Sequence, residues 1–143
     1  MELHTSTFDE LDAGTLYRLL KLRTDVFVVE QECAYPELDG RDPEPTTRHL
    51  WFADGDTPLA YLRVLRDQDA WRIGRVCTAP AARGQGLSGK LIAAALGAGE
   101  GDYVLDAQSH LVGFYESFGF TPSGPGYVED GIPHTPMRRE AMP

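Results

Sequence analysis

Arg83-Gly84-Gln85-Gly86-Leu87-Ser88-Gly89-Lys90-Leu91 joins a β-like run, Trp71 to Cys77, to an apolar stretch with helical spacing. Glycines at such a junction let the backbone approach an anion closely. The helix that follows aims its unpaired N–H groups and positive dipole end at the same point. Arg83 adds a permanent charge. The nonapeptide therefore reads as a pyrophosphate cradle formed by Arg83, Gly84, Gln85, Gly86, Leu87, Ser88 and Gly89; a strand-to-helix turn that merely needs flexible residues is the plain alternative. Its spacing excludes a Walker loop, which needs Gly-x4-Gly-Lys-Ser/Thr, and a dinucleotide-binding turn, which needs Gly-x-Gly-x-x-Gly.

Working outward, Leu87, Leu91, Ile92, Ala95 and Leu96 line one helix face until Gly97 and Gly99 stop it. Upstream, His49–Ala53, Leu59–Leu65 and Trp71–Cys77 are β-rich runs separated by Asp54-Gly55-Asp56 and Asp67-Gln68-Asp69, the pattern of an antiparallel meander. Leu16, Leu19, Leu20, Val26 and Phe27 predict a helix before the meander, with Thr15 as its cap. Cys33 to Thr47, rich in Pro, Asp and Glu, predicts a long loop of the kind that walls a site. Downstream, Tyr103–Ala107 reads as a buried strand, Leu111–Phe118 as a helix closed by Gly119, and Tyr127–Val128 with Thr135–Arg139 as a final strand pair. The order is that of a single α+β domain spanning 1–143.

Composition narrows the function. The 143 residues suit one domain with a real core, and 42% hydrophobic with 24% charged residues is ordinary for a water-soluble chain. No apolar run reaches the roughly 20 residues of a membrane span, and the N-terminus lacks a signal-peptide pattern, so no membrane partner and a cytoplasmic location are expected. A net charge of −9 argues against a nucleic-acid partner. The two cysteines, Cys33 and Cys77, read as reduced thiols, Cys33 disfavoured as a nucleophile by Glu30 and Glu32 beside it. The four histidines show no metal-ligand spacing, so no metal is expected. Arg72, Arg75, Arg83 and Lys90 gather around the cradle, whereas Glu30, Glu32, Glu37, Asp39, Asp42, Glu44, Glu129 and Asp130 flank it. That division suits an anionic cofactor at one end and a cationic substrate at the other, although an acidic surface also serves solubility alone.

Arg83-x-x-Gly86-x-Ser88 resembles the Arg/Gln-x-x-Gly-x-Gly/Ala signature of the GCN5-related N-acetyltransferases, with Ser88 departing from it. Gln108-Ser109-His110-Leu111-Val112-Gly113-Phe114-Tyr115-Glu116-Ser117-Phe118-Gly119-Phe120 resembles that family's Asn-x-x-Ala-x-x-Phe-Tyr-x-x-x-Gly-Phe motif, with Gln108 and Leu111 in place of Asn and Ala. The runs Leu22 to Gln31, Tyr35 to Gly40 and Glu129 to His134 are similar to the ElaA-like branch. The resemblance implies a GNAT-like mixed central β-sheet flanked by helices, with the fourth and fifth strands splayed around the pantetheine arm of acetyl-CoA. It implies that Val76, Cys77 and Thr78 line that slot, that Gln108 bonds pantetheine or a water, and that Tyr115 protonates the departing thiolate. Phe114, Phe118 and Phe120 read as core.

Acetyl transfer also needs a deprotonated amine. Glu30, Glu32, His49, Glu129, Asp130 and His134 are candidate bases; His134, presented by Gly131-Ile132-Pro133, is preferred on its native pKa, and relay through water stays open. The expected acceptor is a primary amine on a small molecule or peptide. An acyltransferase with a longer acyl donor and a non-catalytic acyl-CoA sensor are the alternatives, and homodimer formation is left open.

Overall fold

The computed structural model describes residues 1–141. Eight strands form one mixed sheet: β1 (Glu2–Ser6), β2 (Arg48–Asp54), β3 (Thr57–Arg66), β4 (Ala70–Thr78), β5 (Asp102–Gln108), β6 (Thr121–Pro122), β7 (Tyr127–Glu129) and β8 (Ile132–Arg139). Their order is β1-β2-β3-β4-β5-β8-β6, with β7 also paired to β8. The helices are α1 (Ala13–Thr24), α2 (Leu87–Gly97) and α3 (Val112–Glu116). Strand β1 has no counterpart in the expected elements, because Glu2-Leu3-His4-Thr5-Ser6 carries one large apolar residue and pairs along one edge only, against β2.

Alternation along β3 divides the core. Ala60, Leu62 and Val64 face α2, which contributes Leu87, Leu91, Ile92 and Ala95, while Tyr61 faces α1 with Trp51 and Cys77. The cap of α1 is Asp12, not Thr15: the Asp12 carboxylate accepts the Thr15 N–H at 2.7 Å. Past Thr24 the helix widens into a π-helical turn, Asp25–Glu30, which buries Val26 and delivers the chain to the long loop.

Between β4 and β5 the sheet opens. Parallel pairing covers Ala70↔Asp102, Trp71↔Tyr103 and Arg72↔Val104 only, while β4 runs on to Thr78 and β5 to Gln108. The base of this fork is pinned from the α2 side. The Trp71 indole N–H donates to the Glu100 carbonyl at 3.2 Å, and the Tyr103 hydroxyl, fully buried, donates to the Ala95 carbonyl at 3.0 Å. Arg48 stacks on Trp71 at 4.1 Å and donates to the Ala98 carbonyl at 2.8 Å.

The loop after the π-turn is tied down by charge. Arg23, 1% exposed inside α1, donates Nε to Glu37 at 2.7 Å and Nη1 to Asp42 at 2.8 Å. Arg63 donates to Asp42 at 3.0 Å and pairs with Asp39, and Arg75 donates to Glu37 at 3.0 Å. The acidic segment is therefore spent largely on internal arginines, and Arg72 joins them, bound to Asp67 and Asp106 at 2.7 Å each. This corrects the expected charge division: Arg72 and Arg75 are paired with carboxylates rather than free beside the glycine turn, and Glu37, Asp39 and Asp42 are not an unpaired acidic rim.

His49 completes the network. Its Nε2–H donates to the Asp42 carbonyl at 3.1 Å, which leaves Nδ1 to accept from the Tyr61 hydroxyl at 2.6 Å. Burial pushes its pKa down from 6.5. For Asp42 burial acts upward, but the hydrogen bonds and charges of Arg23 and Arg63 outweigh it and hold the carboxyl below its ordinary 3.8. Removing a charged partner from such a cluster strands the others. Asp42→Asn is expected to cost about 3–5 kcal/mol in denaturant unfolding.

The pH dependence follows from the same two groups. Unfolded His49 binds a proton more readily than native His49, so stability is full above pH 6.5 and falls as pH drops below that value. Asp42 adds a further loss as pH falls through and below 3.8. Denaturation midpoints measured from pH 7.5 to 5 should decline in the wild type, and a flat profile would contradict the neutral, buried His49.

Candidate active site

One cavity of about 1010 Å³ occupies the fork. Its walls bring together Val76, Cys77, Thr78, Arg83, Gly84, Gly86, Leu87, Ser88, Gly89, Gln108, Tyr115 and His134 from β4, the turn into α2, β5, α3 and β8. Gln85 is the one proposed cradle residue outside the lining; it is exposed at the tip of the turn.

At the cradle, Gly86 is the N-cap of α2 with φ 72°, and no side chain caps that helix. Gly84 has φ 83°, and a Cβ built on either glycine would meet nothing within 4 Å. The left-handed turn and the open space above it are what a close-lying anion requires. Ser88 ties the turn to β4 through a 2.8 Å hydrogen bond between its hydroxyl and that of Thr78. Arg83 is not an idle cation: it forks onto Glu30 at 2.9 and 2.5 Å and donates Nε to the Thr78 carbonyl at 3.2 Å. The Arg83 bonds hold the Glu30 carboxyl below its ordinary range, which weakens it as a base candidate.

Tyr115 sits 6% exposed on α3, edge-on to Phe114 and Phe120. Burial pushes its phenol up to about 12, so it is protonated throughout the neutral range. Phe120 is core and Phe118 packs against the core, but Phe114 is 38% exposed and lines the cavity, since α3 buries its neighbour Tyr115 instead. Cys77 is a buried thiol pushed up to about 12 by burial, and Cys33, also a wall residue, is raised by burial and by Asp130 and Glu129. Neither is a ready nucleophile.

The far end of the cavity is built by β5, β7 and β8. Register places His134 opposite both Gln108 and Tyr127, and the Tyr127 ring stacks on His134 at 5.6 Å. His134 Nδ1 donates to the Ile132 carbonyl at 2.8 Å, which fixes the tautomer and leaves the lone pair on Nε2. Glu129 and Asp130 line this end without an ion pair among the described residues. His49 lies elsewhere, in the buried network, and is removed from the candidate bases; Glu32 does not line the cavity. Sequence reading missed the wall residues Asp106 and Tyr127, which only strand pairing brings to the site, while Tyr35 belongs to the loop expected to wall it. No group of three or more His, Cys, Asp or Glu is arranged for a metal among the described residues. No helix among them is long and apolar enough to cross a membrane.

A mixed sheet forked at β4 and β5, with a glycine cradle at the start of α2, defines an acyl-CoA N-acyltransferase architecture. The chain belongs to the GNAT acetyltransferase family, whose Acetyltransferase (GNAT) domain matches residues 22–141. It is 50% identical to a UPF0039 protein of Mycobacterium tuberculosis, over 91% of this chain and 87% of that one. It is 41% identical to protein ElaA of Escherichia coli, over 99% of this chain and 95% of ElaA; the ElaA crystal structure superposes with a TM-score of 0.92, covering 97% and 99%. An acyl-CoA N-acyltransferase from Pseudomonas aeruginosa superposes with a TM-score of 0.93 at 41% identity, covering 97% of this chain and 99% of that one.

The acyl-CoA that this family binds suits the open space over Gly84 and Gly86 and the uncapped start of α2. A side chain at Gly86 would fill that space and strain the left-handed turn. Gly86→Val is expected to lower CoA affinity in calorimetry by about tenfold or more, whereas undiminished binding would displace the cradle.

Proposed function

We propose that this protein transfers an acetyl group from acetyl-CoA to a primary amine by direct attack of the amine on the thioester. The observation that carries this reading is that one cavity contains the glycine cradle, the Tyr115 phenol and the His134 imidazole with its Nε2 lone pair. Acetyl-CoA supplies the activated acyl group. The chain's residues bind, orient and move protons. The turn from Arg83 to Gly89 receives the pyrophosphate, and the unpaired edge of β4 at Val76 to Thr78 receives the pantetheine amides as one more strand would.

His134 Nε2 takes a proton from the ammonium form of the acceptor, directly or through a water, as its Nδ1–H stays on the Ile132 carbonyl. Tyr115 gives its proton to the leaving sulfur. Its pKa of about 12 exceeds the ordinary range of a thiol, but desolvation in the same site raises a thiolate as well, which narrows the gap. Tyr115→Phe keeps the ring and removes the proton, so turnover should fall roughly 10²-fold with CoA affinity little changed. Unchanged turnover where chemistry is rate-limiting would leave Tyr115 a packing residue.

The acceptor preferred is cationic. Arg63, Arg72 and Arg75 all line the cavity, yet each is matched by a carboxylate of the loop or sheet, while Glu129 and Asp130 are not matched. The surplus charge facing an incoming amine is negative. Rates with polyamines and lysine peptides should exceed those with acidic amino acids, and the margin should shrink at high salt. Equal rates across charge classes would remove this assignment. The apolar walls Phe27, Leu65, Ile73 and Leu105 favour one variant of the reading, a donor with a longer acyl chain, and a series of acyl-CoA chain lengths separates the two.

A further inference from the structure

Strand β4 breaks register with β3 at its middle. Tyr61 faces Cys77 and Arg63 faces Gly74, so Arg75 and Val76 together oppose the single residue Leu62. This is a β-bulge, and Arg75 within it has φ 54°. That left-handed conformation is strained for any residue with a Cβ and free for glycine. Gly74, one position earlier, has an ordinary φ and open space around it. The chain thus places an arginine where glycine would cost nothing, with a glycine next door.

What the side chain reaches accounts for the choice. Arg75 Nε donates to Glu37 Oε2 at 3.0 Å, and Nη2 donates to the Glu37 carbonyl at 3.1 Å. The guanidinium carbon lies 5.6 Å from the centroid of Tyr35, whose hydroxyl donates to the other Glu37 oxygen at 2.6 Å. Tyr35 and Pro36 form one wall of the cavity, and Arg75, Val76, Cys77 and Thr78 form another. A strained backbone point on the β4 wall is therefore bonded, through its own side chain, to the loop wall across the cavity.

We propose that Arg75 is a positioning residue: by tying the bulge to the Tyr35–Glu37 segment it holds the Val76 backbone turned out of the ladder toward the acyl carbonyl, and sets the opposite wall against it. Arg75 touches no reacting atom in this scheme, which rests on the acyl-transfer reading given above. Strain of this kind persists only while the surroundings enforce it. Without the guanidinium, alanine relaxes and the bulge is lost; glycine, and asparagine which tolerates the left-handed region, keep the bulge with no tie at all.

The test compares Arg75→Ala with Arg75→Gly, and Arg75→Asn as a second variant that tolerates the left-handed region. Calorimetry with CoA should show Arg75→Ala weakened about tenfold, with Arg75→Gly and Arg75→Asn within about threefold of wild type. In turnover, Arg75→Ala should lose kcat by about tenfold or more, whereas Arg75→Gly should keep kcat and raise the acceptor KM, since only the wall has come loose. Equal losses in the alanine and glycine variants would overturn the proposal and assign the guanidinium a direct contact; so would CoA affinity unchanged in all three. The CoA comparison decides the role of the bulge even if the wild type transfers no acyl group, an outcome that would sink the transfer reading by itself.

Discussion

The cavity at the fork depends for one wall on a cluster of charges buried beside it. Arg23, Arg63 and Arg75 converge on Glu37, Asp39 and Asp42, and Asp42 and Glu37 are each shared between two arginines. A loop as polar as Cys33 to Thr47 has too little apolar surface to fold onto a sheet by the hydrophobic effect. It is held because Glu37, Asp39 and Asp42 each accept from buried or half-buried arginines, and because Tyr61 and His49 close the remaining bonds. Charge pairing of this sort is costly to assemble and more costly to break. It therefore specifies one loop position rather than adding greatly to stability.

That position gives the cavity its second side. Strands β4 and β5 alone would leave an open groove; the loop, anchored to α1 through Arg23 and to β4 through Arg75, stands against it as a wall. The other end is closed by β7 and β8, where a short hairpin turning at Gly131 stacks Tyr127 on His134. The elements that form the core and those that form the site thus come from different physics: apolar alternation sets the sheet and α2, and ion pairing with hydrogen bonds sets the walls.

This difference explains what could be read from the sequence. The glycine turn, the meander and α2 follow from spacing, and the α+β order with them, whereas the mixed sheet and the Tyr115 motif were legible through the resemblance to the acetyltransferase family. The apolar pattern was blind to β1, an edge strand with little to bury, and to Asp12 as a cap one turn before the first apolar residue. It misread the charges for a different reason. Composition counts arginines and carboxylates but not which of them meet, so Arg75 was allotted to phosphate and Glu37 to the acceptor although they bond to one another. Pairings 38 residues apart depend on the finished fold.

The bridge between Arg83 and Glu30 alters what the glycine turn offers to solution. A bare arginine beside uncapped helix amides would hold any small anion that drifted past. Here its guanidinium already carries a carboxylate on both nitrogens of its fork. On the proposed reading, an arriving phosphate exchanges with Glu30 for the Arg83 guanidinium. A ligand that also extends along β4 gains contacts Glu30 cannot match. On the proposed acyl-transfer reading, discrimination between a whole nucleotide thioester and small inorganic anions is made by length, because the first bond of the encounter is an exchange and only the later ones are a gain.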